Sequence, residues 1–343
     1  MSSEILEKEL DDHSRWVETY LEGYLEEARS RGAGLHPFLG EVYDSVRGFV
    51  LRGGKRIASY TTSLVYHGYG GTDREALRAV CAAIELYRHS ILVHDDLVDG
   101  DELRRGSPTI HREYSDLRDE RLGMGCAVFS GNILFSVCLG LLADSVPQQG
   151  DAFRLIRELL EANRRVNESQ ILDIQMEGRD ALLSEWRAMA SERAASLFCA
   201  TLRMGGILAG ADDDLDTLGR AGEMMGYVFD IQDDIIDTFA SEEEYGRKPG
   251  SDLSTLKRPL HVVLALECAD GEQAEALRSR EADLESFRST LIESGGLERA
   301  KRMAEEYRAT ALDLTESTAL KPEAKDRLSR LMSYMDESLS WYV

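Results

Sequence analysis

The sequence predicts an all-α protein, and three observations support this. Long segments rich in Ala, Leu, Glu and Arg carry apolar residues at a spacing near 3.6, which is typical of amphipathic helices. Clear alternation of apolar and polar residues, the pattern of a half-buried strand, is scarce. The six prolines each lie near Gly, Ser, Asp, Gln or charged residues, where loops are expected. We therefore expect one domain over residues 1–343.

Two segments need a specific interpretation. Residues 122–143 carry no charge and are long enough to cross a bilayer, but serine and asparagine interrupt them and no second such segment exists. We interpret this segment as the buried central helix of a bundle and expect no transmembrane segment. Residues 270–343 have the pattern of charged amphipathic helices, which are most simply solvated outer helices.

The net charge of the chain restricts which molecules it can bind. Lys and Arg number 40 against 63 Asp and Glu, a net charge of −23, so the surface repels nucleic acid and anionic lipid. An anionic substrate would need cations between itself and the protein. The five cysteines are scattered and form no CxxC pair, which predicts a reducing, cytoplasmic location without disulfide or zinc site. The acidic N-terminus shows no secretory signal.

A first aspartate cluster follows an apolar helical segment. Asp95, Asp96 and Asp99 form a DDxxD motif in which the outer two are four apart and share one helix face. Like charges there repel one another, and hard divalent cations such as Mg²⁺ relieve the repulsion. Arg104 and Arg105 follow, and each can grip phosphate oxygens. An acidic helix end neutralised by these arginines is the alternative.

A second aspartate cluster repeats the spacing. Asp233, Asp234 and Asp237 lie among apolar residues such as Ile231 and Ile235, so this helix should be buried. Buried carboxylates without partners are costly. We expect the two aspartate helices to face one another, with Mg²⁺ and a diphosphate between them. Two independent buried ion pairs are the alternative.

Basic segments accompany the aspartates. GGKR at 53–56 places Lys55 and Arg56 after a flexible glycine turn that permits close approach to an anion. The Gly/Pro-rich segment 245–259 has the character of a basic flap that could close over a phosphate. Its cations are Arg247, Lys248, Lys257 and Arg258.

Together these motifs resemble the trans-isoprenyl diphosphate synthase (polyprenyl synthetase) family, in particular its archaeal-type geranylgeranyl diphosphate synthases. The matching segments, in the family's order, are GGKR at 53–56, HDDLVDGDELRRG at 94–106, QILDI at 170–174, GYVFDIQDDIID at 226–237 and GRKPGSDL at 246–253. The resemblance implies the isoprenoid synthase fold, a single large all-α bundle around a central cavity, and commonly a homodimer.

The resemblance also implies a role for each matched position. The direct ligands of Mg²⁺, about three ions per active site, would be Asp95, Asp99 and Asp233. The supporting carboxylates would be Asp96, Asp234 and Asp237. Arg104 would contact the allylic diphosphate. The contacts to isopentenyl diphosphate would come from Lys55, Arg56 and Arg105. The further substrate-binding positions are Arg88, Gln170, Arg193, Asp230, Arg247 and Lys257.

Several positions depart from the family's usual residues. The replacements are Ile57-Ala58-Ser59 for Leu-Arg-Pro, Arg88 for His, Gly131-Asn132 for Gly-Asp, Arg193-Ala194 for Lys-Thr, Asp230 for Gln and Arg247 for Lys. Charge is mostly preserved, so we expect activity. The contacts of the allylic site, around Ala194 and Asp230, are those most affected.

Product length should depend on the helix that ends in the first cluster. In the family, aromatic residues four or five places before the motif mark short products, but here Ile91 and Ser90 occupy those places. Tyr87, eight places before, is the next bulky candidate. A blocking side chain that lies three residues earlier in the helix deepens the product cavity by about 4.5 Å at ~1.5 Å per residue, close to the length of one isoprene unit. We favour a C20 product, then C25, unless Tyr87 is ordinary core.

Two other functions stay open. A class I terpene cyclase or a head-to-head synthase also uses aspartates and Mg²⁺, although GGKR with RRG favours a second diphosphate substrate. A non-catalytic subunit that regulates an active partner is the alternative outside catalysis.

Overall fold

The computed structural model of the protein describes residues 2–241, 249–279 and 283–337. Across these ranges the chain is helical almost throughout, and the all-α prediction is confirmed. The only strands among the described residues form a short antiparallel ribbon, Leu103–Arg104 (β1) against Ser107–Pro108 (β2). The backbone separates into two compact units, Met1–Leu159 with Ile207–Ala209, and Leu160–Gly206 with Gly210–Val343. The single domain over residues 1–343 stays a prediction.

The first unit is built from the N-terminal helices. They are α1 (Ser2–Leu35), α2 (Pro37–Leu51), α3 (Ile57–Gly68), α4 (Arg74–Asp99), α5 (Ile110–Leu117), α6 (Glu120–Ser145) and the start of α7 (Gln149–Met176). Helix α4 packs mainly against α6 and also contacts α1 and α3, so most of its surface is buried.

The two ends of α4 are fixed by local chemistry. The Asp73 carboxylate accepts hydrogen bonds from the backbone N–H groups of Glu75 and Ala76 and so begins the helix. Gly100 ends it in the left-handed region, with φ = 70°, where glycine carries no steric penalty. The helix therefore stops at Asp99. The first aspartate cluster lies in its last two turns, as predicted.

Helix α6 contains the long uncharged segment and has two different faces. Ala127, Leu134 and Cys138 are buried, whereas Met124 and Phe129 are exposed. Among the described residues, α6 is the one helix whose length and hydropathy match a membrane span, a test that core helices of water-soluble proteins also pass. About half of the segment is therefore a packed helix face, and the predicted central helix is buried on one side only.

The second unit contains the later helices. They are the end of α7, α8 (Leu183–Glu192), most of α9 (Ala194–Ala209), a 3₁₀ turn (Asp212–Asp214), α10 (Leu215–Phe239), α11 (Ser251–Thr255), α12 (Leu260–Cys268), α13 (Gly271–Arg278), α14 (Leu284–Glu293), α15 (Gly296–Glu316) and α16 (Pro322–Glu337).

The core of the second unit supports the second aspartate cluster. Ile231 and Ile235 of α10 pack with Trp186 of α8 and with residues of α12 and α15, including Leu297. Burial of each such side chain contributes about 1.5–3 kcal/mol. The predicted burial of α10 is confirmed. Because Leu297 belongs to this core, α15 is not simply a solvated outer helix, and only its opposite face is charged.

Candidate active site

The first aspartate cluster is contacted by an arginine of the β-ribbon. Arg104 Nε donates a hydrogen bond to Oδ1 of Asp96, and Arg104 Nη2 lies 3.7 Å from Oδ2 of Asp95. Asp96 is buried, whereas Asp95 and Asp99 are partly exposed. The arginine thus pairs mainly with Asp96, while Asp95 and Asp99 keep part of their surface exposed to solvent.

Asp96 is held in an environment that disfavours its charge. Burial raises the pKa of its carboxyl to about 7, although Arg104 acts in the opposite direction. Within the part of the chain that the structure describes, its buried Oδ2 has no hydrogen-bond partner. An unsatisfied carboxylate oxygen is costly, and a nearby divalent cation would stabilise the ionised form.

The turn between α2 and α3 brings glycines against Arg105. Arg105 donates a hydrogen bond to the carbonyl of Gly53 and its guanidinium lies over Gly54. A Cβ at Gly54 would stand 2.6 Å from Arg105 Nη2, and the glycine has φ = 114°. The positive φ favours glycine at this position, and any larger residue would also displace the Arg105 guanidinium. The segments GGKR and RRG, separate in sequence, therefore meet in the first unit.

The cations around this turn repel one another. The pKa of Arg105 is lowered to about 10, first by burial and then by Arg88 and Arg56. The pKa of Lys55 is lowered by burial, against Glu7 and Asp11 of α1, which raise it. A cluster of cations of this kind favours an anionic ligand.

Arg56 lies differently from its neighbours. Its side chain is fully buried, 0% exposed, and forms ion pairs with Glu18 of α1 and Glu85 of α4. A direct contact with diphosphate would require these pairs to open. Glu85 is itself fully buried; burial raises the pKa of its carboxyl, but Arg56 and then Arg88 lower it to about 2.

In the second aspartate cluster, one arginine is shared among carboxylates. Arg193 Nε donates to Asp230 Oδ1 at 2.7 Å, and Nη2 donates to Asp234 at 3.1 Å. Nη1 lies 4.0 Å from Asp173. Asp233 is exposed on the same helix. The replacements at 193 and 230 therefore meet as an ion pair.

Carboxylates outnumber cations around this arginine. The described carboxylates are Asp173, Asp230, Asp234, Asp237 and Asp252, and the described cations are Arg193 and Lys257. Burial raises the pKa of Asp234 and of Asp230, although Arg193 opposes it in both. The buried Oδ2 of Asp230 lacks a hydrogen-bond partner among the described residues.

The aspartate carboxylates of the two clusters are suitable ligands for a hard divalent cation. Carboxylate oxygens are the ligands that Mg²⁺ prefers. The partly exposed Asp95 and Asp99 lie near Asp96, and the exposed Asp233 lies near Asp230. Asp96 and Asp230 are buried, and each has an oxygen left unsatisfied by the described part of the chain. In the described ranges, no three His, Cys, Asp or Glu side chains stand close enough to form a ready-made metal site. Mg²⁺ commonly keeps waters and binds together with substrate phosphates, so it does not need such a cage.

Two site residues were missed by the sequence interpretation. Asp173 lies within the quoted QILDI segment and is 3.4 Å from Lys257 Nζ. Asp252 lies within GRKPGSDL, and its backbone N–H donates to Asp237 Oδ2 at 3.2 Å. Their positions inside matched motifs were the available signal. Gln170 is partly buried one turn before Asp173. Arg247 lies outside the described residues.

The chain-length candidates lie along α4 below the first cluster. Tyr87 is fully buried, and its ring centroid is 6.0 Å from that of Phe135 on α6. Ser90 is buried and donates to the Tyr87 carbonyl at 2.7 Å, while Ile91 is partly buried. Phe135 is an aromatic neighbour that the sequence interpretation did not identify.

Comparisons with known proteins identify the family of this chain. The sequence model of the polyprenyl synthetase family matches residues 40–291. The geranylgeranyl diphosphate synthase of Methanosarcina mazei is 30% identical over 272 residues, covering 78% of this chain and 81% of that protein. The geranylfarnesyl diphosphate synthase of Natronomonas pharaonis is 32% identical over 238 residues, covering 68% and 67%.

Solved structures share the fold. Geranylgeranyl pyrophosphate synthetase from Pyrococcus horikoshii superposes with a TM-score of 0.84 at 25% identity, covering 98% of this chain and 99% of that one. The Corynebacterium glutamicum geranylgeranyl pyrophosphate synthase, solved with isoprenyl diphosphate and magnesium, gives 0.90 at 23% identity, covering 96% and 99%. The chain therefore belongs to the polyprenyl synthetase family, prenyltransferases with the all-helical isoprenoid synthase fold.

Proposed function

We propose that this chain condenses isopentenyl diphosphate head-to-tail with allylic diphosphates to a medium-chain all-trans prenyl diphosphate. The C20 geranylgeranyl product is favoured, and C25 geranylfarnesyl is next. The observation that supports this most is that one chain carries two aspartate clusters and a separate cation cluster around the turn at 53–56. The C20 and C25 synthases among its relatives support the same range.

In this proposal the aspartates hold metal and the cations hold diphosphate. Asp95, Asp99 and Asp233 bind Mg²⁺, which when bound neutralises the allylic diphosphate and makes it a better leaving group. The buried carboxylates Asp96 and Asp234 support these ligands. The cations and polar groups assigned to the allylic substrate are Arg104, Gln170, Arg193, Asp230, Arg247 and Lys257. Those assigned to isopentenyl diphosphate are Lys55, Arg88 and Arg105.

The reaction balances without a strong side-chain base. The allylic carbon–oxygen bond breaks, and the leaving diphosphate carries the electron pair away. The double bond of isopentenyl diphosphate then attacks the allylic carbocation, and a proton is lost to restore a double bond. The departing diphosphate takes that proton. Apolar surroundings are needed because water would quench the cation.

Product analysis tests this function. The purified chain is incubated with Mg²⁺, isopentenyl diphosphate and allylic primers of five, ten or fifteen carbons, and products are identified by mass spectrometry. Longer diphosphates that end at C20 or C25 are expected. Cyclic hydrocarbons would indicate a terpene cyclase. No product from the chain alone, with activity restored by a partner subunit, would indicate a regulatory role.

Replacing the aromatic side chains of Tyr87 on α4 and Phe135 on α6 by alanine should lengthen the prenyl products. Tyr87→Ala removes a fully buried ring about two helical turns before the first cluster, and adding Phe135→Ala also removes its partly buried neighbour. The expected result is a shift from the wild-type length by one or more isoprene units. Phe153→Ala removes an exposed ring in the same unit and serves as control. An unchanged product profile would show that the pair is ordinary core.

A homodimer is supported by the outer face of α6. Phe129 and Met124 are 66% and 53% exposed, on a helix that otherwise packs within its unit. Exposed apolar surface on a folded protein can mark an interface, and we propose that a second copy of the chain covers these two side chains. Sedimentation velocity should give twice the chain mass for the wild type and mostly monomer for Phe129→Glu, while Phe153→Glu stays dimeric. A monomeric wild type, or a dimeric Phe129→Glu, would contradict this interface.

A further inference from the structure

Helix α1 makes two contacts with the turn at 53–56 and one with the start of α3. Ser14 Oγ donates to the Gly54 carbonyl at 3.1 Å, and Glu18 accepts from Arg56 at 2.9 Å. His13 Nε2 lies 2.9 Å from Ser59 Oγ at the start of α3. These residues precede the segment that the family's sequence model matches. The turn is therefore held from a helix outside the matched region.

The Ser59 hydroxyl and the His13 ring form hydrogen bonds within the protein. Ser59 Oγ donates its one hydrogen to the Arg56 carbonyl, so His13 Nε2 must be the donor in its bond to Ser59. His13 is buried, and burial lowers its pKa to about 4. A neutral His13 with its proton on Nε2 accounts for both contacts.

Arg56 has no donor left for a substrate. A guanidinium carries five N–H groups. Nε and one N–H of Nη2 donate to Glu18, and the other N–H of Nη2 donates to the Val50 carbonyl at 2.6 Å. Nη1 donates to Glu85 at 3.2 Å and to His89 Nε2 at 3.3 Å. All five are directed into the protein.

The backbone of Arg56 also needs support. Arg56 has φ = 50°, a left-handed conformation that a non-glycine residue adopts at a cost of about 1–3 kcal/mol. Gly53 and Gly54 of the same turn also have positive φ. The ion pairs to Glu18 and Glu85 can offset this cost, because each adds charge-assisted hydrogen bonds that hold the buried guanidinium in place. The side-chain network and the turn are thus coupled.

We infer that Arg56 is a positioning residue rather than a ligand, and that Glu18 and Ser14 of α1 hold the turn so that Lys55 and Arg105 meet the diphosphate of isopentenyl diphosphate. This inference rests on the proposed function for the identity of the anion. It assigns α1 a part in substrate affinity. The allylic substrate is assigned to other residues, so its affinity should not depend on this network.

Glu18→Gln tests the inference against Glu22→Gln, an identical change at an exposed position one turn further along α1. The expected result for Glu18→Gln is a rise of about tenfold in KM for isopentenyl diphosphate, corresponding to one lost charge-assisted interaction. KM for the allylic primer and kcat should change less than about twofold. Calorimetric titration with isopentenyl diphosphate should show the same weakening.

Two results would overturn the inference. One is a Glu18→Gln protein whose KM for isopentenyl diphosphate equals that of Glu22→Gln, whatever its melting temperature. The other is an equal loss for both substrates, which a purely structural role predicts. If Glu18→Gln does not fold, Ser14→Ala removes the bond to Gly54 and must itself raise KM selectively. If the wild type binds isopentenyl diphosphate but makes no elongated diphosphate, the proposed function is rejected. The calorimetric comparison of Glu18→Gln with Glu22→Gln then decides the inference by itself.

Discussion

Replacing Asp233 by alanine is expected to reduce turnover by about 10²–10³-fold or more while the helical circular dichroism signal stays unchanged. The carboxylate is exposed on α10, so its loss costs little packing, but it removes a proposed Mg²⁺ ligand. Asp95→Ala, at the partly exposed position of the first cluster, should act in the same way. The measurement is steady-state incorporation of isopentenyl diphosphate at saturating Mg²⁺.

The matched control is Asp216→Ala, the same change at a fully exposed position near the start of α10. It should leave turnover within about twofold of the wild type. A near-normal rate for either Asp233→Ala or Asp95→Ala would remove that cluster from the chemistry.

Arg193→Ala is expected to destabilise the second unit by about 3–5 kcal/mol. The substitution leaves Asp230 and Asp234 buried without the guanidinium that both contact, next to Asp173. Urea denaturation of the purified protein measures the loss. Arg278→Ala breaks an exposed pair with Asp180 on the same unit and should change the midpoint far less.

Mg²⁺ should restore part of the stability of Arg193→Ala. A divalent cation can take the place of the lost positive charge among these carboxylates. The expected result is a larger Mg²⁺-induced rise in the unfolding midpoint for the variant than for the wild type. An Arg193→Ala protein as stable as the wild type without metal would mean that the carboxylates are not ionised together, contrary to the proposed site.

The sequence was sufficient to locate the aspartate helices. Apolar spacing predicted α4 and α10, and the one-and-four spacing predicted which face of each carries the carboxylates. These spacings depend on residues close in sequence, which is why they could be predicted. The Asp73 cap and the Gly100 stop, which fix the two ends of α4, are also local, but the sequence patterns above did not identify them.

The orientation of individual site residues was beyond the sequence pattern. Arg56 is adjacent to Lys55, yet Arg56 is directed into the protein because its partners Glu18 and Glu85 lie 38 and 29 residues away. The contact between Arg193 and Asp230 likewise joins two positions that looked like independent replacements. Such long-range pairing is decided by packing, not by local spacing.

One measurement tests most directly whether metal and diphosphate are bound together by the aspartates: thermal unfolding of the wild type with Mg²⁺ alone, inorganic pyrophosphate alone, and both. The account predicts that both ligands together raise the midpoint by more than the sum of the separate shifts, and that Asp95→Ala and Asp233→Ala each lose this excess. A purely additive shift, or an undiminished excess in both variants, would contradict it.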